Sequence, residues 1–244
     1  MPLMEELNKS GNFLFRWRSY LPLLFVVVAF ASVDRFQYIY GSHVLDLYWE
    51  AFCLLVGALG IVLRVFTVAF VPGSTSGRGT EAPSASRLNT TGMYSIMRNP
   101  LYLGNFLLYL APVLFMRIWW VMLIFALVFI IYYERIIFAE ETFLRKKFSA
   151  EYMNWAARTP VFFPKPSLWV KPDRVFSWKM ALTREYHGVY GLILAMFLME
   201  FSTDLYLTGH FVLDDFWLGL LAAGTLFYLT VRLLKKKTQI LAIP

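Results

Sequence analysis

An all-α, polytopic integral membrane protein of about six transmembrane helices is the fold class this sequence predicts, on three observations. Only 16% of the 244 residues are charged and 59% are hydrophobic, whereas a soluble domain carries about 25% charged residues. Apolar runs recur at lengths near the roughly 20 residues that cross a bilayer. Lys and Arg gather in alternate loops, as they do on the cytoplasmic side of membrane proteins.

Taken in order, the first predicted span covers residues 17–38. Arg16 and Arg18 before an apolar stretch with Ala29 and Ala31 also fit a secretory signal, but Glu5, Glu6 and the length of the leading region favour an uncleaved helix. The second span covers 47–70, with its apolar centre at 51–63. Residues 72–99 are too polar and too rich in Gly and Ser to span. The third span, 101–115, is short and contains Pro112, and the fourth, 118–138, begins two residues later, which predicts a tight antiparallel hairpin. A polar and aromatic segment, 140–185, follows. The fifth and sixth spans cover 186–207 and 211–234, before Lys235, Lys236 and Lys237.

Loop charge gives the same count by an independent route. Lys9, Arg16 and Arg18 precede the first span; Arg78, Arg87 and Arg98 follow the second; the segment after the fourth and the carboxyl end are basic. The intervening loops hold Asp34, Arg35 and Asp46, then Arg117, then Asp204, Asp214 and Asp215. The alternation puts both termini in the cytoplasm, in a bacterial inner membrane or, in a eukaryote, the endoplasmic reticulum. The formal net charge of +7 is then a membrane-side bias. Nucleic-acid motifs and metal-ligand spacings are absent, so neither partner is expected. Cys53 lies in an apolar run and reads as a small buried hydrophobe.

The polar residues that flank the predicted hairpin are the candidates for chemistry. Pro100 suits the first turn of a helix, Arg98 lies just before it, and Gly104 leaves room for a ligand or a second helix one turn in. A basic membrane-edge anchor with small-residue packing explains the same residues more simply. Glu140 and Glu141 follow the second arm of the hairpin, which brings them beside Arg98, and carboxylates there can bind hydroxyl and amino groups; Glu141 and Arg145 also match a solvated i,i+4 pair. Arg158, before the Pro160 to Pro164 turn, suits a carboxylate or phosphate, or a plain headgroup contact. Glu50, Arg64 and Glu200 fall inside spans; a transporter would use them as a polar path, and the near-end positions of Glu50 and Arg64 fit snorkelling.

Read as one ordered series, Gly92, Tyr94, Arg98, Asn99, Pro100, Tyr102, Gly104, then Glu140, Glu141, Leu144, Phe148, Tyr152, Trp155, Arg158 and Pro164 resemble the isoprenylcysteine carboxyl methyltransferase and phospholipid methyltransferase superfamily. The resemblance covers about residues 63–164. It implies a methyltransferase core at 72–166 between amino-terminal helices at 1–71 and carboxyl-terminal helices at 167–244. It also implies S-adenosylmethionine in a cytosol-facing pocket, contacted by Tyr94, Arg98, Asn99, Tyr102, Gly104, Glu140 and Glu141. Arg158 and Glu141 then carry the reaction, with Arg158, Arg78 and Trp155 toward a lipid or lipidated acceptor. Asn99 stands where the superfamily usually has His, and Asn does not titrate near neutral pH.

Methyl transfer to an ionised carboxylate or phosphate needs no general base, so an anionic head group is expected. The loop at 75–80 and the added carboxyl-terminal helices resemble the bacterial branch acting on lipid A phosphate. The other readings are a phospholipid amine methyltransferase, a sterol or quinone reductase, and a transporter.

Overall fold

The computed structural model describes residues 2–18, 20, 23–71, 85–211 and 214–242. These residues form eight α-helices, joined by turns and short 3-10 segments, with no strand among the described residues. Four helices are long and apolar enough to cross a membrane: α3 (His43–Val68), α6 (Trp119–Ala156), α7 (Trp178–Thr208) and α8 (Asp215–Lys237). The chain is a polytopic membrane protein.

The amino end departs from the expected single span over 17–38. Helix α1 (Leu3–Trp17) is amphipathic, with Glu5 and Glu6 in its first turn and Arg16 in its last, an order that suits the helix dipole. It packs along the distal half of α6. A Cβ at Gly11 would collide with the backbone carbonyl of Arg135, and Phe15 is fully buried. Helix α2 (Leu23–Ala31) is apolar throughout but nine residues long, a rise of about 14 Å against a hydrocarbon thickness of about 30 Å. With its flanks, the stretch runs from Arg18 beside the motif residues to Tyr38, bonded to Asp204 at the opposite end of the bundle. Two 3-10 turns, Val33–Arg35 and Ile39–Gly41, lead on to α3.

The predicted hairpin forms. Short helix α4 (Met93–Ile96) precedes α5 (Pro100–Phe115), which begins at Pro100, where the missing N–H costs nothing. Residues 116–118 then turn the chain into α6, with Arg117 at φ 55. The Arg117 guanidinium pairs with the buried Asp46 carboxylate of α3 and locks this turn. At the other end α5 lies tight against α3, since a Cβ on Gly60 would stand 2.6 Å from the Gly104 carbonyl oxygen. Stacked aromatics, Phe106, Phe125, Phe129 and Tyr133, fill the space between α5 and α6.

Helix α6 outruns the membrane. Its apolar part ends near Phe138, and the remainder carries the acidic and basic residues to a break at Ser149 (φ 43), after which two further turns complete it. Helix α7 begins at Trp178, eight residues ahead of the expected 186, because Ser177 caps it by accepting from the Met180 N–H. Helix α8 is capped in the same way by Asp214. At the end of the bundle away from the motifs, Trp217 Nε1 donates to Glu50 Oε2 at 3.1 Å, and Tyr38 donates to Asp204 at 3.4 Å. Glu50 and Arg64 lie 14 positions apart on α3, about 21 Å along its axis. They are tied to different helices, Glu50 to Trp217 of α8 and Arg64 to Glu185 of α7.

Candidate active site

A network of backbone bonds brings the two halves of the motif series together. Gly92 takes φ 61, a conformation that favours glycine, and its N–H donates to the Val170 carbonyl. Ser95 Oγ donates to the Gly92 carbonyl and accepts from Val170 N–H. Further along, Lys165 N–H bonds to Ile96, and Arg98 N–H to Pro160 at 2.8 Å. The loop before α5 is thereby stitched to the turn after α6, and Asn99 Nδ2 adds a bond to the Val161 carbonyl at 3.0 Å. Asn99 thus serves this clasp with a side chain that needs no proton exchange.

Above the clasp lies a cavity of about 560 Å³, within the range of small-molecule sites. Tyr94, Arg98, Asn99, Tyr102, Glu140, Glu141 and Trp155 all line it. Arg98 Nη1 stands 2.8 Å from Glu141 Oε1, with both side chains largely buried. Beside this ion pair, Arg98 Nε is buried without a hydrogen-bond partner. Tyr102 donates to Glu140 Oε2 at 2.7 Å. Burial holds the Glu140 carboxyl above its ordinary range, with Tyr102 and Arg18 acting against the shift.

The break at Ser149 sets Tyr152 and Trp155 on one buried face, packed with Leu88, Tyr94, Leu144 and Phe148. Trp155 Nε1 donates to the Tyr94 carbonyl at 3.0 Å. Tyr152 receives Arg98 Nη1 at 3.5 Å, and burial, then the Glu141 charge, push its hydroxyl up to about 12. Burial raises the Tyr94 hydroxyl too. Both remain protonated donors at neutral pH.

Three expected residues stand elsewhere. Gly104 faces α3, where a Cβ would strike Arg64 Cγ at 2.5 Å, so its missing side chain serves helix packing rather than the cavity. Arg158 lies after the helix end, exposed, with Nε turned back onto the Asn154 carbonyl at 3.2 Å, and it is not part of the cavity wall. Arg78 lies outside the described residues. In their place the wall carries Arg18 of the stretch after α1, Arg64 of α3, and Arg184, Glu185 and His187 of α7. Arg64 does not snorkel. It turns inward to Glu185, 2.6 Å from Nε to Oε2. Its position inside a span was the legible signal; Glu185 was hidden because α7 starts earlier than hydropathy indicates.

A profile described as "Phospholipid methyltransferase" matches residues 48–151, which covers most of α3, all of α4 and α5, and most of α6. The "Nickel-cobalt-cadmium resistance protein NccN" of Alcaligenes xylosoxydans xylosoxydans is 33% identical over 127 residues, 50% of this chain and 55% of that protein. The "Cobalt-zinc-cadmium resistance protein CzcN" of Cupriavidus metallidurans is 33% identical over 159 residues, 65% of this chain and 68% of that protein. The match therefore spans little more than half the length of the first of these relatives. No solved structure matches the chain at a significant level.

Proposed function

The chain belongs to the phospholipid methyltransferase family, and from that premise we propose that it transfers a methyl group from S-adenosylmethionine to an anionic head group, carboxylate or phosphate, of a lipid or lipidated substrate. The observation that carries this reading is the Arg98–Glu141 pair, two motif residues far apart in sequence that meet on a cavity wall, with Arg98 Nε buried and without a hydrogen-bond partner. Unsatisfied buried atoms of this kind cost free energy unless a ligand completes them. A small zwitterion with hydroxyl, ammonium and carboxylate groups suits that donor and acceptor set, so the residues present fit the cofactor.

When bound, S-adenosylmethionine supplies an electrophilic methyl group on a sulfonium. Glu140 and Glu141 offer carboxylates to its cationic and hydroxyl groups, and Arg98 offers N–H donors to its carboxylate. Tyr94, Tyr152 and Trp155 wall the site against water, and a face of aromatic rings favours a cation. An ionised acceptor needs no base, so alignment in a dry pocket suffices. The Lys and Arg that crowd this end of the bundle favour placing it, with both termini, on the cytoplasmic side of a bacterial inner membrane.

Incubating the purified protein with labelled S-adenosylmethionine and a membrane lipid extract tests the reading. The expected product is an anionic amphiphile one methyl heavier, such as a lipid A phosphate ester. Stabilisation by NADPH but not by S-adenosylhomocysteine, with no labelled lipid, would replace it with a reductase. A second reading, methylation of an amine head group, draws on His187, whose position on the cavity wall suits removal of the amine proton. A labelled amine product would select it. The names of the two relatives suggest a physiological use. A methyl ester on a phosphate removes negative charge that binds divalent cations at the membrane, so deletion strains are expected to lose cobalt or cadmium tolerance.

A further inference from the structure

The cavity has a wall that the family match does not reach. Residues 48–151 end within α6, yet Arg184, Glu185, His187 and Gly188 of α7 line the same space. Glu185 is 3% exposed and grips Arg64 with both oxygens, Nε to Oε2 at 2.6 Å and Nη2 to Oε1 at 3.1 Å. Arg64 Nη1 donates to Asn105 Oδ1, and Asn105 Nδ2 in turn to the Tyr133 hydroxyl at 3.1 Å. A guanidinium carries five N–H groups in a planar fork. These bonds use three of them. The Arg64 side chain keeps 21% of its surface exposed, and it lines the cavity, so a fork fixed by α5 and α7 presents its remaining donors there.

A tie between two helices would explain the ion pair but not its place. Such a pair inside a span is costly unless it is used. Gly188, three residues beyond Glu185, lines the cavity too and packs close to α3, since a Cβ there would lie 3.2 Å from Ile61 Cδ1. Val68, Leu108 and Tyr109 line the cavity as well and supply apolar surface. Charged groups line both sides: Glu140 and Glu141 stand with Arg98 and Arg18 toward the motifs, and Arg64 pairs with Glu185 toward α7, where Arg184 also lines the cavity.

We propose that the α7 side of the cavity is the acceptor subsite, where Arg64, oriented by Glu185, binds the oxyanion of a lipid head group, and Val68, Leu108 and Tyr109 take the first carbons of its chain. Glu185 is a positioning residue. The inference rests on the methyltransferase reading for the occupant of the motif side, while anion binding at Arg64 stands without it.

The test is thermal stabilisation of the full chain in a non-ionic detergent, first by S-adenosylhomocysteine and then, with that ligand saturating, by short-chain phosphatidic acid. Phosphatidylcholine of equal chain length and inorganic phosphate form the comparison arms. Phosphatidic acid is expected to raise the melting temperature, phosphatidylcholine to leave it unchanged, and inorganic phosphate to act only at far higher concentration. Arg64→Gln and Glu185→Gln are expected to weaken the phosphatidic acid response by about tenfold or more while keeping the S-adenosylhomocysteine shift. Arg145→Ala, exposed and outside the cavity, is expected to keep both.

An undiminished phosphatidic acid response in Arg64→Gln would overturn the proposal. So would loss of the S-adenosylhomocysteine shift in both Arg64→Gln and the charge-conserving Arg64→Lys, since the arginine would then be structural. Equal potency of inorganic phosphate would overturn the lipid assignment. A wild-type response to phosphatidic acid without one to S-adenosylhomocysteine would sink the cofactor reading and support the anion subsite.

Discussion

At the residue scale the site is built from groups held under stress by burial. Glu140 is the clearest case, because burial raises its carboxyl above the ordinary value of 4.5. A raised folded-state value means that its contribution to stability is fully present below the unfolded value and is lost as pH climbs through the folded one. Glu140→Gln is therefore expected to melt at or above the wild-type temperature at neutral pH, with the gap closing as pH falls through the carboxyl range. The same variant is expected to bind S-adenosylhomocysteine more weakly, a trade of function for stability. Melting curves across pH, paired with calorimetry, check both halves. A variant less stable than wild type at neutral pH would contradict the assignment.

Arg98 and Glu141 act as one unit. Removing either leaves the other buried without its charge partner, so Arg98→Ala and Glu141→Ala should each weaken S-adenosylhomocysteine binding, and the double variant should fall short of their sum. The expected coupling is about 0.5–3 kcal/mol, read from a double-mutant cycle of dissociation constants. Full additivity would show that the pair does not share a ligand. Both residues were legible in the sequence because they belong to an ordered series. Arg158 belongs to the same series but is exposed, and the series says nothing of where a side chain points once a helix has ended.

At the scale of elements, legibility followed hydropathy. The α5–α6 hairpin was readable because Pro100 starts a helix and only a short polar break parts two apolar runs. Helix α1 was not, since its apolar positions are spread around Glu5, Glu6 and Arg16 and its partner, the far half of α6, is itself polar. The start of α7 was also hidden, and with it Glu185, although Ser177 ahead of Trp178 is a capping signal. Ser177→Ala is expected to cost about 1 kcal/mol and to loosen the α7 wall, seen as faster hydrogen exchange over residues 178–186. At the far end, Trp217→Phe would strip the donor from the buried Glu50 carboxylate. Its expected cost is about 1–3 kcal/mol in thermal unfolding, with S-adenosylhomocysteine affinity unchanged.

At the scale of the whole molecule, the bundle separates its two ends by chemistry. One end holds Asp46, Glu50, Glu200 and Asp204, mostly engaged in ties between helices. The other gathers motif residues from α5, α6 and the clasp with α7 residues outside the family match, so the site is a product of the full fold rather than of residues 48–151 alone. The proposed function sets that end at the membrane surface, where a water-soluble donor and a lipid acceptor would share one cavity.

The most direct measurement is photo-crosslinking of labelled S-adenosylmethionine to the full chain, with the labelled peptides mapped by mass. Label is expected in residues 88–102 and 140–155, which contain Tyr94, Tyr102, Tyr152 and Trp155, and to vanish with excess S-adenosylhomocysteine. Competable label confined to α8 or to the Asp46–Glu200 end, with none in those two segments, would contradict it.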